Sequence, residues 1–360
     1  MMMKRLTTLL FTMCITLLGF GRGVVTPAQS LIKRLIKIQK RGVMIGHQDD
    51  PVYGRTWKWE RNRSDVRDLV GVYPAVMGFD LGWIERLSDV NLDKVPFSRI
   101  REEIILQYER GGIVTLSWHP TNPITGQSAW ETTPGALRQI LPGGAEHSKF
   151  CGWLQQVAAF LNSLKSPKTG KPIPVIFRPW HEMNGDWFWW GAKNNSPEEF
   201  KQLYIMTHDL LTKQYGCHHL VWAYSPNAVS GDTEERYMAY YPGDAYVDLL
   251  GIDLYDFDHN NARYQQQLRE ELHLITQIGD EREKLTALTE TGAQTLPDKE
   301  WFTKVFWPVA ENFPIAYVLF WRNAWDAPKE LYMSSKGHPT EQDFKLFYEQ
   351  KRTLFVNNIK

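Results

Sequence analysis

Eight short apolar runs recur along the chain, and each one ends in polar or aromatic residues. Val43-Met44-Ile45-Gly46 runs into His47-Gln48-Asp49-Asp50, the run over 74–79 into Asp80, and the run over 112–117 into Trp118-His119. The fourth, Ile173-Pro174-Val175-Ile176-Phe177, turns polar at Arg178 and leads to His181-Glu182. The remaining runs, 219–224, 247–252, 284–288 and 315–320, lead to Ser225-Pro226-Asn227, Asp253-Leu254-Tyr255-Asp256, Thr289-Glu290 and Trp321-Arg322-Asn323. Runs of this length, rich in β-branched residues, read as strands buried on both faces. Segments with helical spacing lie between most of them, at 60–70, 98–110, 148–164, 197–214, 262–279 and 299–312, and another precedes the first at 30–41. Ser196 followed by Pro197, Glu198 and Glu199 is a helix start.

Strands alternating with helices imply a parallel sheet, and eight such units point to an α/β fold: a closed (β/α)8 TIM barrel in a single domain. A doubly wound open sheet is the alternative, but no Gly-rich phosphate turn follows any strand. In a barrel, the polar residues at the strand ends gather at one mouth. The long stretches 119–147 and 225–246, rich in Pro, Gly and aromatics, are expected to wall the cleft there.

Composition narrows the partner. Lys+Arg and Asp+Glu both number 41 in 360 residues, so no basic face for nucleic acid is indicated. The chain carries 15 Trp, 15 Tyr and 17 Phe, and many sit beside polar residues, as in a lined cleft. Lys4-Arg5, the apolar run Leu6 to Phe20 and the small residues before Ala28-Gln29-Ser30 read as a signal peptide over 1–28, which leaves 29–360 as the barrel. The apolar run is too short to span a bilayer comfortably, so no membrane span is expected in the mature protein. The protein is expected to be exported, to the periplasm or beyond. Cys14 raises a lipoprotein reading, which Met13 before it and the apolar residues after it argue against. Only Cys151 and Cys217 remain, too few for a disulfide framework.

The candidate chemistry lies in two glutamates. Glu182 follows strand four and Glu290 strand seven, where two side chains are placed to face one another across the mouth. Glycoside hydrolysis needs such a pair in different protonation states. Arg178, four residues before Glu182, points into the mouth as a partner for Glu290, while Trp180 and Trp187 flank Glu182 and raise its proton affinity. The plainer reading of Glu182 is a core-edge carboxylate paired to Arg178 beside packed indoles. No metal or cofactor is expected: a zinc site built on His181-Glu182 needs a second His where Gly185 stands. Of Trp189 and Trp190, one ring is expected inward and one toward the cleft.

Arg-Pro-Trp-His-Glu-Met-Asn-Gly-Asp-Trp-Phe-Trp-Trp-Gly (178–191), Gly-His-Gln-Asp (46–49), Gly-Ile-Asp-Leu-Tyr-Asp (251–256) and Thr-Glu-Thr-Gly (289–292) together resemble glycoside hydrolase family 26, and most of all its bacterial endo-β-1,4-mannanases. The resemblance runs from about residue 30 to 355. It implies a retaining double displacement on β-mannan, with Glu182 as acid/base and Glu290 as nucleophile. It further implies that Tyr255 supports the nucleophile and that His181 binds sugar or orients the acid. Trp187 would be a leaving-side platform, Trp321 the indole under the reacting sugar, Arg322 a contact to the next sugar and His119 a further sugar contact. Trp130 is matched to a further cleft tryptophan. A β-glucanase or xylanase on the same barrel, or a non-catalytic carbohydrate-binding barrel, are the other readings. Retention predicts carboxyls roughly 5–5.5 Å apart, whereas inversion needs roughly 6.5–9.5 Å.

Overall fold

Each apolar run forms a strand in the computed structural model, which describes residues 25–360. The strands are β1 (Val43–Gln48), β2 (Val76–Asp80), β3 (Ile113–Trp118), β4 (Val175–Pro179), β5 (Leu220–Tyr224), β6 (Leu249–Asp256), β7 (Leu285–Ala293) and β8 (Tyr317–Phe320). Every neighbouring pair is parallel, and β8 pairs with β1 through Met44–Tyr317, Ile45–Val318 and Gly46–Leu319, which closes the barrel. A short segment, Thr353–Leu354, adds to β1 in parallel near the bottom. Its two residues carry too little pattern to be read as a strand from sequence.

Alternation along the strands sorts the core in two. Met44, Val76, Ile176, Val221, Leu249, Leu285, Tyr317 and Leu319 fill the barrel interior, while Ile45, Phe79, Leu116, Phe177, Ile252 and Phe320 pack outward under the helices. The interior is tight. A methyl group on Gly78 would lie 1.9 Å from the Gln48 side-chain oxygen. The bottom is plugged by α1 (Pro27–Gln39), whose buried Leu31, Leu35 and Ile38 join the interior cluster. A capping box between Thr26 and Gln29 starts α1. The signal-peptide reading falls almost wholly outside the described residues; of its described part, Pro27 and Ala28 open this helix. No helix among the described residues is long and apolar enough to cross a membrane.

The outer helices include α2 (Asp65–Val70), α3 (Phe97–Glu109), α4 (His147–Ser163), α5 (Pro197–Asp209) and α6 (Asn261–Arg282). Ser196 caps α5 in a second capping box with Glu199. After β8 the chain crosses the top of the barrel, and Asn323 fixes it there. The Asn323 amide donates to Asp65 (2.8 Å) and to the Met333 carbonyl (3.0 Å), and its oxygen accepts from the Tyr332 and Met333 N–H groups. Asn323 is fully buried, so removing its amide strands several polar groups without water. Asn323→Ala should therefore destabilise the protein by about 2–4 kcal/mol, measurable as a lower urea midpoint.

Candidate active site

Strand parity decides what reaches the mouth. Arg178 follows the interior phase of Ile176 on β4, and Asp253 and Tyr255 follow that of Leu249 on β6. Glu290 does not follow the phase of Leu285 and Ala287. The β6–β7 register breaks, so that Ile252 faces Leu288 but Asp253 faces Glu290. Thr289 is the extra residue, and this bulge turns Glu290 inward, while Thr291 faces out to bond the Tyr264 hydroxyl. Glu182 arrives by a different route. Past Pro179 the backbone enters the left-handed region at Trp180 (φ 58°) and Glu182 (φ 52°), conformations that non-glycine residues keep only when held. The Glu182 N–H donates to the Ser225 carbonyl (2.8 Å), and the Trp190 indole donates to the His181 carbonyl (2.9 Å).

One oxygen from each of Glu182, Asp253 and Glu290 lies within 4.8 Å of the others, and all three residues are buried. Arg178 supplies the opposing charge. It donates to Glu290, to Asp253 (2.9 Å) and to the Ser225 hydroxyl (3.1 Å). The Tyr255 hydroxyl donates to the second oxygen of Glu290 (2.7 Å), and burial together with the Glu290 charge raises its pKa, so it stays a donor. Both Glu290 oxygens thus face donors that complement a carboxylate. The second glutamate sits in the opposite environment. Burial first, and then the charge of Glu290, push the Glu182 carboxyl up to about 7, against a hydrogen bond from the Trp187 indole (2.7 Å) and the charges of Arg178 and His119. This spacing lies on the side of the roughly 5–5.5 Å of retaining pairs, short of the roughly 6.5–9.5 Å of inverting ones.

A buried imidazole pair borders Glu290. Asp80 accepts from His119 Nδ1 (2.6 Å), from Ser117 (2.6 Å) and from the Gly82 N–H (2.6 Å). Burial would lower the His119 pKa, but the charge and hydrogen bond of Asp80 outweigh it and the net shift is upward. His181, facing both His119 (3.0 Å) and Arg178, is pushed well down by burial and by those two cations. The two shifts run in opposite directions, so of the pair His119 holds a proton the more tightly. The cleft above these groups has a volume of about 710 Å³.

Comparison with known proteins places this geometry. Residues 24–326 match the sequence family described as "Glycosyl hydrolase family 26". The chain belongs to glycoside hydrolase family 26. It is 34% identical over 316 residues to a mannan endo-1,4-β-mannosidase of Bifidobacterium adolescentis, covering 82% of this chain and 31% of that one. It thus spans about a third of that relative's length. A mannan endo-1,4-β-mannosidase of Bacillus subtilis is 29% identical over 73% of this chain and 70% of its own. Among solved structures, a family 26 β-mannanase from Bacteroides ovatus superposes with a TM-score of 0.89 at 42% identity, covering 92% of this chain and 96% of that one.

In this family 26 chain the cleft brings together Glu182, Glu290, His119, His181, Trp187, Tyr255 and Trp321. Trp130 joins them, half exposed and stacked on His119 at 5.3 Å and 15°. Arg322 is held by Asp93, a pairing between two residues far apart in sequence. Two expectations need correction. Trp180 does not flank Glu182; its left-handed backbone sends the ring outward, where it donates to Thr207 (3.1 Å) and packs among Trp118, Trp189 and Trp190. Trp189 and Trp190 are both buried, and Phe188 takes the cleft position, stacked on Trp190 at 4.3 Å. Asp253, Asp80, Phe257 and Tyr332 went unassigned in the sequence. For Asp253 a signal existed: it lies two residues before Tyr255, on the same face of β6.

A buried carboxyl shifted upward destabilises the fold wherever it must ionise. The folded state binds the Glu182 proton more tightly, so the penalty is absent below the ordinary value of 4.5, grows as pH rises and levels off above about 7. That interval corresponds to about 3 kcal/mol. Glu182→Gln should raise Tm by several degrees at pH 8 while converging on wild type near pH 4, as read by calorimetry across pH.

Proposed function

We propose that this chain is a retaining endo-β-1,4-mannanase that cuts internal bonds of mannan or galactomannan, with Glu182 as acid/base and Glu290 as nucleophile. The observation that carries it is the close, asymmetric pair of carboxyls: one faced by a guanidinium and a phenol, the other pushed up to about 7 beside an indole. The substrate class comes from the relatives named above, and the aromatic-lined cleft suits pyranose rings.

In the first step Glu290 attacks the anomeric carbon, the glycosidic C–O bond breaks, and Glu182 gives its proton to the departing oxygen. The product is a glycosyl ester on Glu290. In the second, Glu182 takes a proton from water, the water oxygen bonds the same carbon, and Glu290 leaves as carboxylate. Two inversions give net retention. Arg178 and Tyr255 hold Glu290 in line, and Tyr255 is free to follow the oxygen it bonds as charge leaves it. His119 and His181 are placed to meet hydroxyls of the ring under attack, and Trp321 to lie beneath it. Export fits this substrate, because a polysaccharide does not enter a cell intact; we place the enzyme in the periplasm or outside it, on the basic and apolar start of the chain.

Reducing-sugar release from galactomannan, compared with barley β-glucan and xylan, tests the substrate. Mannan should be cleaved and the other two should not; the reverse would keep the mechanism and discard the specificity. Glu182→Ala should lower kcat on mannan by about 10²–10⁴-fold; on aryl glycosides, whose leaving groups need little protonation, it should spare kcat/KM, which reports the first step, while the second step slows for want of its base. Glu290→Ala should abolish both. For the wild type, kcat/KM should fall about tenfold per pH unit above about 7, as Glu182 loses the proton it must donate.

A further inference from the structure

The cleft continues past the two glutamates toward β5 and β6. Its wall there is the 227–230 segment and, after β6, Phe257, Arg263 and Gln267. Phe257 is 57% exposed, which alone means little, since single exposed apolar side chains are common. Its pose is what distinguishes it. The ring lies nearly parallel to that of Tyr255, with centroids 4.9 Å apart and 19° between planes. Tyr255 is fixed in turn by its bond to Glu290 and by the edge of Tyr332 at 5.4 Å. The outer face of Phe257 is thereby held at a set position relative to the nucleophile, one aromatic layer away from it.

The direction of the substrate follows from the acid. Asn184, two residues past Glu182, donates to the Asn227 carbonyl (2.7 Å) and accepts from the Asn227 N–H (2.8 Å). The turn bearing the acid and the 227–230 wall are therefore one unit. The ring attacked by Glu290 lies toward His119, His181 and Trp321, so the sugar that leaves with the protonated oxygen lies past Glu182, beside Trp187. A chain extended further meets the 227–230 wall and then Phe257. On the same wall of the cleft, Arg263 is set by its ion pair with Asp258 (2.7 Å) and by the Asn260 cap that starts α6. An apolar face with a guanidinium and an amide at its edge matches a pyranose, whose C–H face is apolar and whose rim carries hydroxyls.

We propose that Phe257 is a stacking platform for a leaving-side sugar beyond the first, with Arg263 and Gln267 as hydroxyl partners; the proposal rests on the mannanase reading above. Sugar units bound there draw long chains into register and set where an internal bond falls. The test uses the full chain with Phe257→Ala and Phe257→Trp. The substrates are a linear β-1,4-mannohexaose and a 4-nitrophenyl β-mannobioside, whose aryl leaving group ends at the first leaving-side position. The ratio of kcat/KM values, hexaose over aryl substrate, should fall about tenfold in Phe257→Ala and return in Phe257→Trp. A ratio unmoved by Phe257→Ala, through no effect or an equal loss on both substrates, would overturn the platform. A wild type idle on both substrates would overturn the mannanase reading and the platform with it.

Discussion

The buried guanidinium of Arg178 is the interaction on which the mouth of this barrel depends. Three carboxyls converge within a few ångströms in a setting almost closed to water. Without a cation their mutual repulsion, at reduced dielectric, would drive protonation or unfolding. Arg178 bonds two of the three directly and leaves the third, Glu182, with its hydrogen bond from an indole. The asymmetry needed for acid and nucleophile roles is thus a matter of which carboxyls the fork of one arginine reaches. A lysine, a single point charge, has no second arm for Asp253.

Around that charge cluster the aromatic residues divide into two populations with different work. Trp118, Trp180, Trp189 and Trp190 are fully buried, and their N–H groups reach Glu85, Thr207, and the carbonyls of Pro120 and His181. They hold the left-handed turn at 180–182 in place. Trp130, Trp187, Phe188, Phe257 and Trp321 line the cleft instead. The backbone conformation of the turn is kept by the first group, so the second group and Glu182 are free to be shaped by substrate.

Much of the architecture was legible because eight runs of buried-strand type, each with a polar end, admit few arrangements. The helices at 97–109, 147–163 and 261–282 match the amphipathic stretches within a few residues. The glutamates were legible because a carboxylate at a strand end among indoles has few structural uses. Ring orientation was not. Trp180 and Trp190 look alike in sequence, and only the left-handed turn decides that both point into the core. The ion pair of Arg322 was illegible for a similar reason: its partner Asp93 lies more than two hundred positions away, and nothing local announces the pairing. The bulge at Thr289 was also invisible, since Leu-Thr-Glu-Thr-Gly reads equally well as an unbroken strand.

That bulge ties chemistry to counting. Had β7 run on past Leu288 in regular alternation, with Thr289 opposite Asp253, it could still pair, the barrel could still close, and every side chain named in the site would still be present in the sequence. The carboxylate of Glu290 would simply face α6. Reactivity here is encoded in whether a strand is odd or even at one point, so a chain that keeps all of its signature residues can still be inert through a shift in frame of a single backbone unit.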